Sequence, residues 1–144
     1  MTSYKIIRFP FSTNSAKQLA TFEPKLANWP VVYTIRNSSQ IYVGETTSAE
    51  MRMRQHAESA SKRELEEVSV ILDETFNKSA CLDLESQLIK YFFADEKFEV
   101  LNGNSGIVES DYFDRDRYQK TFDQIFSLLC EQGVLTRSVP ELVN

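Results

Sequence analysis

The chain has 144 residues, 42% of them hydrophobic and 12% aromatic, which suffices for one hydrophobic core and predicts a single compact unit. It contains no apolar run long enough to span a bilayer and no secretory signal pattern, so we expect a cytoplasmic protein that does not associate with membranes. The formal net charge of −5 counts against a free-standing, high-affinity nucleic-acid binder, because lysine and arginine supply most non-specific affinity for phosphates.

The first third of the chain predicts a strand and a helix followed by a β-hairpin. Residues 4–9 are rich enough in β-forming side chains for a short strand, and residues 15–21 suit a short helix. Two further β-rich runs, 31–36 and 41–44, flank the polar stretch 37–40. Such an arrangement predicts a hairpin.

A helix and a third strand are predicted directly after the hairpin. Thr47 and, three residues later, Glu50 form a capping-box pattern, which predicts a helix that continues to about Ser59. The β-branched run 68–72 then predicts a strand beside the hairpin.

Two longer helices are predicted in the second half. Ser79 can cap the first, which ends before Asp95, and its apolar residues recur at helical spacing: Cys81, Leu84, Leu88, Tyr91 and Phe92. The glycine-rich stretch 100–106 predicts a tight, ordered loop. A last amphipathic helix spans about 114–132 and stops at Gly133. The tail 137–144 has no predicted closing element, as in a piece cut from a longer protein.

The two cysteines, Cys81 and Cys130, both fall at apolar positions of these predicted helices. Neither has a CxxC partner or a second ligand nearby, so a metal or redox motif is not indicated. We expect both to be reduced core residues.

Several side chains that can contact phosphate are predicted to lie together around the hairpin. Tyr33 and Tyr42 lie on its two arms, Gly44 follows, and Arg52 and His56 share one face of the next helix. Hydrolysis of a phosphodiester needs a group that orients or deprotonates water, a cation for the phosphate charge, and usually a metal at the leaving oxygen. Tyrosine, arginine and a carboxylate can fill these places.

Glu85 is the candidate carboxylate and the candidate metal ligand. It lies at the border of the apolar stripe of its predicted helix, where a charge is costly unless it is paired or binds metal. Since Mg²⁺ commonly takes only one or two carboxylates and keeps several waters, one glutamate with phosphate oxygens is sufficient in principle.

The order of these residues resembles the five-part pattern of the GIY-YIG nucleases. The matching parts are Val31-Val32-Tyr33, Tyr42-Val43-Gly44, Arg52, Glu85 within a Leu-Glu-x-x-Leu-Ile-Lys helix, and Leu101-Asn102. The resemblance spans residues 31–102, about half of the chain. It implies an α/β (α+β) fold with a small three-stranded antiparallel sheet and flanking helices. It also implies metal-dependent cutting of DNA that leaves 5′-phosphate and 3′-hydroxyl ends.

The resemblance also implies a role for each matching residue. Tyr33 would orient or deprotonate the attacking water, with Tyr42 beside it, and Arg52 would contact the scissile phosphate. Glu85 would hold Mg²⁺ or Mn²⁺. Asn102 would form hydrogen bonds within the site and fix the local backbone.

Three features of the sequence depart from the family pattern or vary within it. Val31-Val32 stands where the name-giving members have Gly-Ile, a mild change because the tyrosine is the functional element. Glu45 directly follows Gly44 where some members carry lysine, so a lysine charge that assists catalysis would have to be replaced. His56 occurs in only part of the family, and its role is the least defined.

Ordinary explanations stay open for every residue taken singly. The two tyrosines could be cross-strand packing residues, Arg52 and Arg54 could pair with nearby glutamates, and Asn102 could belong to a simple turn. His56 could be a satisfied surface residue and Glu85 a helix-boundary residue. Only their joint order favours the functional interpretation. The locally basic residues Arg52, Arg54, Lys62 and Arg63 are candidates for nucleic-acid binding, with a solvated helix surface as the alternative.

The pattern divides the chain into three parts of one compact unit: an N-terminal extension (1–30), a nuclease core (31–103) and a C-terminal helical extension (104–144). The segment 103–133 also resembles the region after the nuclease module of larger bacterial proteins that continue into a P-loop ATPase of helicase type. This implies a downstream ATPase domain or partner. Two alternatives stay open. One is an inactive binding or docking module of a repair, restriction or defence protein. The other is a structural interaction domain, in which the last helix packs on another chain as a homo-oligomer or on a further domain.

Overall fold

The central feature of the fold is a five-stranded sheet with the strand order β1-β4-β2-β3-β5. The computed structural model describes residues 4–22, 28–104, 106 and 111–143. Its strands are β1 (Lys5–Pro10), β2 (Val31–Arg36), β3 (Gln40–Thr46), β4 (Glu67–Leu72) and β5 (Glu99–Val100). Its helices are α1 (Ser15–Phe22), α2 (Ala49–Ala57), α3 (Lys78–Asp95), α4 (Arg115–Glu131) and α5 (Val139–Leu142), with a 3-10 turn at Ala60–Lys62.

The sheet contains the three predicted antiparallel strands, with the predicted N-terminal strand at one edge as β1 and an unpredicted strand, β5, at the other. β2 pairs with both β3 and β4, as the hairpin and the third strand predicted. β1 adds to β4 over its full length, and β5 pairs in parallel with Gln40 and Ile41 of β3. The α/β class is therefore confirmed, with a wider sheet than expected. The two-residue β5 is too short to give a sequence pattern.

Alternating residues of the sheet divide the core into two hydrophobic clusters. Tyr33 and its neighbours in β2 pack with Met53 of α2 and Leu19 of α1 on one face. Val32 and Val43 pack with α3 and α4 on the other face. Successive side chains of a strand point to opposite faces, so β2 contributes Val32 to one cluster and Tyr33 to the other. The sequence of the hairpin thus decides which helix each of its side chains meets.

The predicted cap of α2 is wrong. Ser48, not Thr47, is the N-cap residue, and its side chain makes no capping bond. The backbone N–H of Ser48 donates instead to Oγ1 of Thr46 at 2.9 Å, which ends β3 and starts the turn. The helix ends at Ala57, two residues earlier than predicted, because the chain passes into the 3-10 turn.

The predicted cap of α3 is also wrong. Asn77 is the N-cap, with extended backbone angles and a side chain that accepts a hydrogen bond from the N–H of Ala80 at 2.8 Å. Ser79 lies inside the first turn. At the other end the helix includes Asp95, and Glu96 follows in the left-handed conformation with φ 62°.

The C-terminal region confirms one prediction and overturns another. The helix predicted over 114–132 is α4, flanked by Asp114 and Gln132 as caps and followed by Gly133 at φ 75°. The tail does have a closing element, because α5 forms there with a capping box between Ser138 and Glu141. A helix of four residues is too short for a periodic pattern.

Long-range contacts hold this tail against α3. The buried Asp95 carboxylate accepts hydrogen bonds from the backbone N–H groups of Thr136 and Arg137, both at 3.0 Å. Such contacts between residues about forty positions apart leave no local signal in the sequence. The predicted loop over 100–106 includes Ser105, which lies outside the described residues.

Both cysteines are free thiols, Cys81 buried in the core and Cys130 only half-buried. Within the described ranges, none of the helices has both the length and the apolar character required to cross a lipid bilayer.

Candidate active site

Three aromatic side chains form a compact cluster on the α2 face of the sheet. Tyr33 and His56 are 1% and 7% exposed, and the Tyr33 hydroxyl lies 2.7 Å from Nε2 of His56. The half-buried Tyr42 ring has its centroid 5.0 Å from that of His56 and 6.3 Å from that of Tyr33. The i, i+4 placement predicted for Arg52 and His56 thus brings the histidine onto both tyrosines of the hairpin.

Gly44 provides the space for the Tyr33 ring. The two residues lie opposite each other in the β2–β3 pair. A Cβ atom at position 44 would lie 2.3 Å from both Cζ and the hydroxyl oxygen of Tyr33, far inside van der Waals contact. Any other residue at position 44 would therefore displace the tyrosine hydroxyl.

The protonation states of this cluster follow from its burial. Burial, followed by the neighbouring Tyr42 hydroxyl, raises the pKa of Tyr33 well above its ordinary value. Burial, then the charges of Lys62 and Arg52, lower the pKa of His56 to about 4. At neutral pH both groups are uncharged, so Tyr33 can donate its proton to an unprotonated Nε2 of His56.

Two of the four predicted basic residues reach this cluster. Arg52 is exposed, and its charge acts on Tyr33, His56 and Glu85. Lys62 places its ammonium 4.4 Å from the centroid of the Tyr42 ring, a cation–π distance, and burial lowers its pKa.

The other two basic residues lie elsewhere. Arg54 forms an exposed i, i+4 ion pair with Glu50 at 3.1 Å, as the ordinary explanation for helical charges predicts. Arg63 lines a shallow depression with Phe11 and Glu58, away from the tyrosines. These two residues are therefore not part of the cluster.

Glu85 approaches the cluster from α3, which covers the opposite face of the sheet. It is half-buried, and burial, followed by the carboxylate of Glu45, raises its pKa to about 7. The backbone N–H of Glu45 and the charges of Lys78 and Arg52 act in the other direction. Charges from β3, α2 and α3 all act on the pKa of Glu85, so its carboxylate shares one electrostatic environment with Glu45, Arg52 and Lys78.

The residues around Glu85 suit a bound cation. Gly106 has φ 77°, and a Cβ there would lie 2.8 Å from Oε1 of Glu85, so the glycine leaves room for the carboxylate. A half-buried carboxylate with a raised pKa gains from a cation that replaces its proton. Over the ranges that the structure describes, no three His, Cys, Asp or Glu side chains group together as a metal site. A hard cation that keeps most of its waters is compatible with one carboxylate.

Asn102 fixes the strand that carries Tyr42 and Gly44. Its Oδ1 accepts from the backbone N–H of Val43 at 3.0 Å, and its Nδ2 donates to the backbone carbonyl of Val43 at 2.7 Å. The amide thus continues the hydrogen-bond ladder one step beyond β5, after the bond from Leu101 N–H to the Ile41 carbonyl. Its position is the structural one that the resemblance implied.

Two neighbours of Glu85 were missed in the sequence. Lys78 lies seven residues before Glu85, nearly two helical turns, so both occupy one face of α3. This spacing could have identified Lys78 once the helix was correctly started at residue 78. Gly106 contacts Glu85 through the fold of a loop, for which the sequence has no local signal beyond the glycine itself.

Residues 30–97 match the family model of the GIY-YIG catalytic domain. This part of the chain is a GIY-YIG catalytic domain. The matched region contains both tyrosines, Arg52, His56 and Glu85, and it ends before Asn102. The GIY-YIG family is a nuclease family, so the substrate class of the domain is nucleic acid. Searches of curated proteins and of solved structures found no significant match.

Proposed function

We propose that this GIY-YIG domain is a divalent-metal-dependent endonuclease that hydrolyses phosphodiester bonds in DNA and leaves 5′-phosphate and 3′-hydroxyl ends. The observation that carries the proposal is the 2.7 Å hydrogen bond between the uncharged Tyr33 and the uncharged His56, with Arg52 exposed beside it. A buried tyrosine hydroxyl needs a hydrogen-bond partner in any core, but a partner that can take up a proton, next to an exposed arginine that can bind phosphate, suits hydrolysis of a phosphodiester.

The Tyr33–His56 pair can accept the proton of the attacking water. The water gives a proton to the Tyr33 oxygen while the proton of Tyr33 passes to Nε2 of His56, so the tyrosine stays neutral throughout. This sequence avoids a buried tyrosinate, which the raised pKa of Tyr33 disfavours. The low pKa of His56 keeps its nitrogen unprotonated at neutral pH and also makes it a weak base, so the proton that it accepts passes on readily to solvent.

Arg52 is the cation for the phosphate. Its guanidinium donates in a planar fork that matches two phosphate oxygens, and its exposed position on α2 leaves it accessible to substrate. Loss of such a contact typically costs about 3 kcal/mol in the transition state.

Glu85 would hold the metal, Mg²⁺ or Mn²⁺, with waters and phosphate oxygens as the remaining ligands. When bound, the metal supplies Lewis-acid stabilisation of the 3′-leaving oxygen. Glu85 itself provides a carboxylate whose charge is destabilised by burial, and Gly106 provides the space beside it.

A plasmid-nicking time course at low salt with Mg²⁺ or Mn²⁺ tests the proposal. Wild type and Glu131→Ala, a change of an exposed glutamate at the end of α4, should nick DNA in the presence of metal. Glu85→Ala should not, although its circular dichroism matches wild type. Equal nicking by Glu85→Ala would remove this residue from the metal site.

Tyrosine variants test the proton path separately. Tyr33→Phe should reduce cleavage more than Tyr42→Phe, because only the Tyr33 hydroxyl is bonded to His56. The reverse order would assign the water to Tyr42.

The second candidate function is a catalytically inactive nucleic-acid-binding or docking module, which the net charge of −5 and Glu45 favour. DNA binding by a correctly folded wild type without cleavage in either metal would select it. A downstream ATPase domain and a homo-oligomer stay predictions. The sequence of the complete gene would test the first, and analytical sedimentation would test the second.

A further inference from the structure

We infer that Lys78, held by Glu45, contacts a phosphate of the DNA that flanks the scissile phosphate. The inference rests on the proposed function, because it requires a nucleic-acid substrate at the Tyr33–Glu85 site. It assigns a binding role to Lys78 and a positioning role to Glu45.

The ion pair between Lys78 and Glu45 has the geometry of a positioning contact. The ammonium of Lys78 lies 2.7 Å from both carboxylate oxygens of Glu45. The Glu45 side chain is only 14% exposed, whereas that of Lys78 is 55% exposed. The glutamate is therefore packed at the base of the pair, and the lysine presents its charge to solvent.

The donor count leaves Lys78 able to bind a further anion. A lysine ammonium has three N–H donors. Two of them are directed at the two oxygens of Glu45. The third is available for an oxygen of a phosphate.

The position of Lys78 relative to Glu85 matches a flanking phosphate rather than the scissile one. The two residues occupy one face of α3, and seven residues of helix separate them by about 10 Å along the axis. The charge of Lys78 nevertheless acts on Glu85, so the two side chains belong to one electrostatic field.

Glu45 lies between Lys78 and Glu85 and contacts the first while it acts on the second. Its side chain binds Lys78, and its backbone N–H lies near enough to Glu85 to act on the pKa of that carboxyl. An acid directly after Gly44 would repel DNA on its own. Paired with Lys78, it instead holds a cation in place beside the site, and this cation comes from α3 rather than from the hairpin.

The test is the salt dependence of binding to a duplex oligonucleotide, measured by fluorescence anisotropy in EDTA between 50 and 200 mM NaCl. Each lost phosphate contact makes the negative slope of log K against log [salt] less steep by about 0.9, and it weakens binding by about tenfold at 50 mM salt. Lys78→Gln should show both effects. Lys78→Arg should retain the slope, as should Lys90→Gln, which removes an exposed lysine from the same helix about 18 Å away.

Glu45→Gln distinguishes positioning from simple repulsion. If Glu45 holds Lys78 against the DNA, the substitution weakens binding in the wild-type background and strengthens it in the Lys78→Gln background, where the acid has lost its partner. Tighter binding in both backgrounds would show that Glu45 only repels DNA, which overturns its positioning role.

The remaining outcomes separate this inference from the proposed function. If wild type nicks plasmid and Lys78→Gln keeps the wild-type slope, the pair only clamps β3 to α3, and a lowered unfolding temperature would be its sole effect. If wild type neither nicks nor binds DNA, the proposed function fails and this inference fails with it.

Discussion

Replacement of Glu85 by glutamine should stabilise the metal-free fold at pH 8 while it abolishes cleavage. The pKa of Glu85 rises from an ordinary value of 4.5 to about 7, mainly because the carboxylate is buried and secondly because Glu45 is near. A rise of this size corresponds to roughly 3 kcal/mol of cost for the charged form. Because the side chain is still partly exposed, solvent screening reduces the expected effect to about 1–2 kcal/mol.

The sign follows from the protons bound by each state. Between pH 4.5 and 7 the folded protein keeps a proton on Glu85 that the unfolded chain has released. The stability from this proton is complete below pH 4.5 and is lost as the pH rises through 7. Glutamine is uncharged at every pH, so the Glu85→Gln variant keeps at pH 8 the stability that wild type has lost.

Urea unfolding in EDTA at pH 5 and pH 8 measures the effect. The free energy of unfolding of the Glu85→Gln variant should exceed that of wild type by about 1–2 kcal/mol at pH 8 and by little at pH 5. Glu131→Gln, an exposed control, should show no such difference. In a second series without EDTA, free Mg²⁺ at a hundredfold excess over its Kd should stabilise wild type alone, by about 2.7 kcal/mol. A Glu85→Gln variant that is less stable than wild type at pH 8 would refute the reasoning.

Three further substitutions test the geometry of the site. Gly44→Ala should lower the free energy of unfolding by about 1–3 kcal/mol and the cleavage rate by at least about 90%, because the new Cβ displaces the Tyr33 hydroxyl. Unchanged nicking would show that cleavage does not require the hydroxyl at this position. Asn102→Ala should lower the free energy of unfolding by about 1–3 kcal/mol, since it leaves the buried N–H of Val43 unpaired, and an unaltered urea midpoint would contradict this. Arg52→Ala should lower kcat by about a hundredfold with little change in unfolding temperature, whereas a purely structural arginine would shift the temperature and spare kcat.

Much of the site could be predicted because its parts are local. Tyr33, Tyr42 and Gly44 belong to one hairpin, whose register follows from alternation, and His56 reaches them from the helix that comes next. Short spacings in sequence translate directly into short distances in space. The order of these residues was therefore sufficient to place the cluster on one face.

The parts that were not predicted depend on competition between two possible N-cap residues or on contacts between residues distant in the sequence. Asn77 and Ser79 are both good N-cap residues, and only the backbone angles of the folded chain select Asn77. The error started α3 too late and concealed Lys78 as a neighbour of Glu85. The anchoring of the tail on Asp95 depends on contacts across the chain, which local patterns do not encode.

The side-chain amide of Asn102 takes the place of a strand beside Val43. β5 pairs with two residues of β3, the Asn102 side chain serves a single further step at Val43, and within the described ranges no strand pairs with the outer edge of residues 44–46. An unpaired edge is normally a hazard for aggregation, tolerated when it is short and charged. In the nuclease proposed above, we expect a DNA strand to approach along this edge, because Tyr42 and Glu45 lie on opposite faces of β3 here. A longer β5 would pair its backbone with residues 44–46, so the two-residue length of β5 leaves this part of β3 without a strand partner in the described part of the chain.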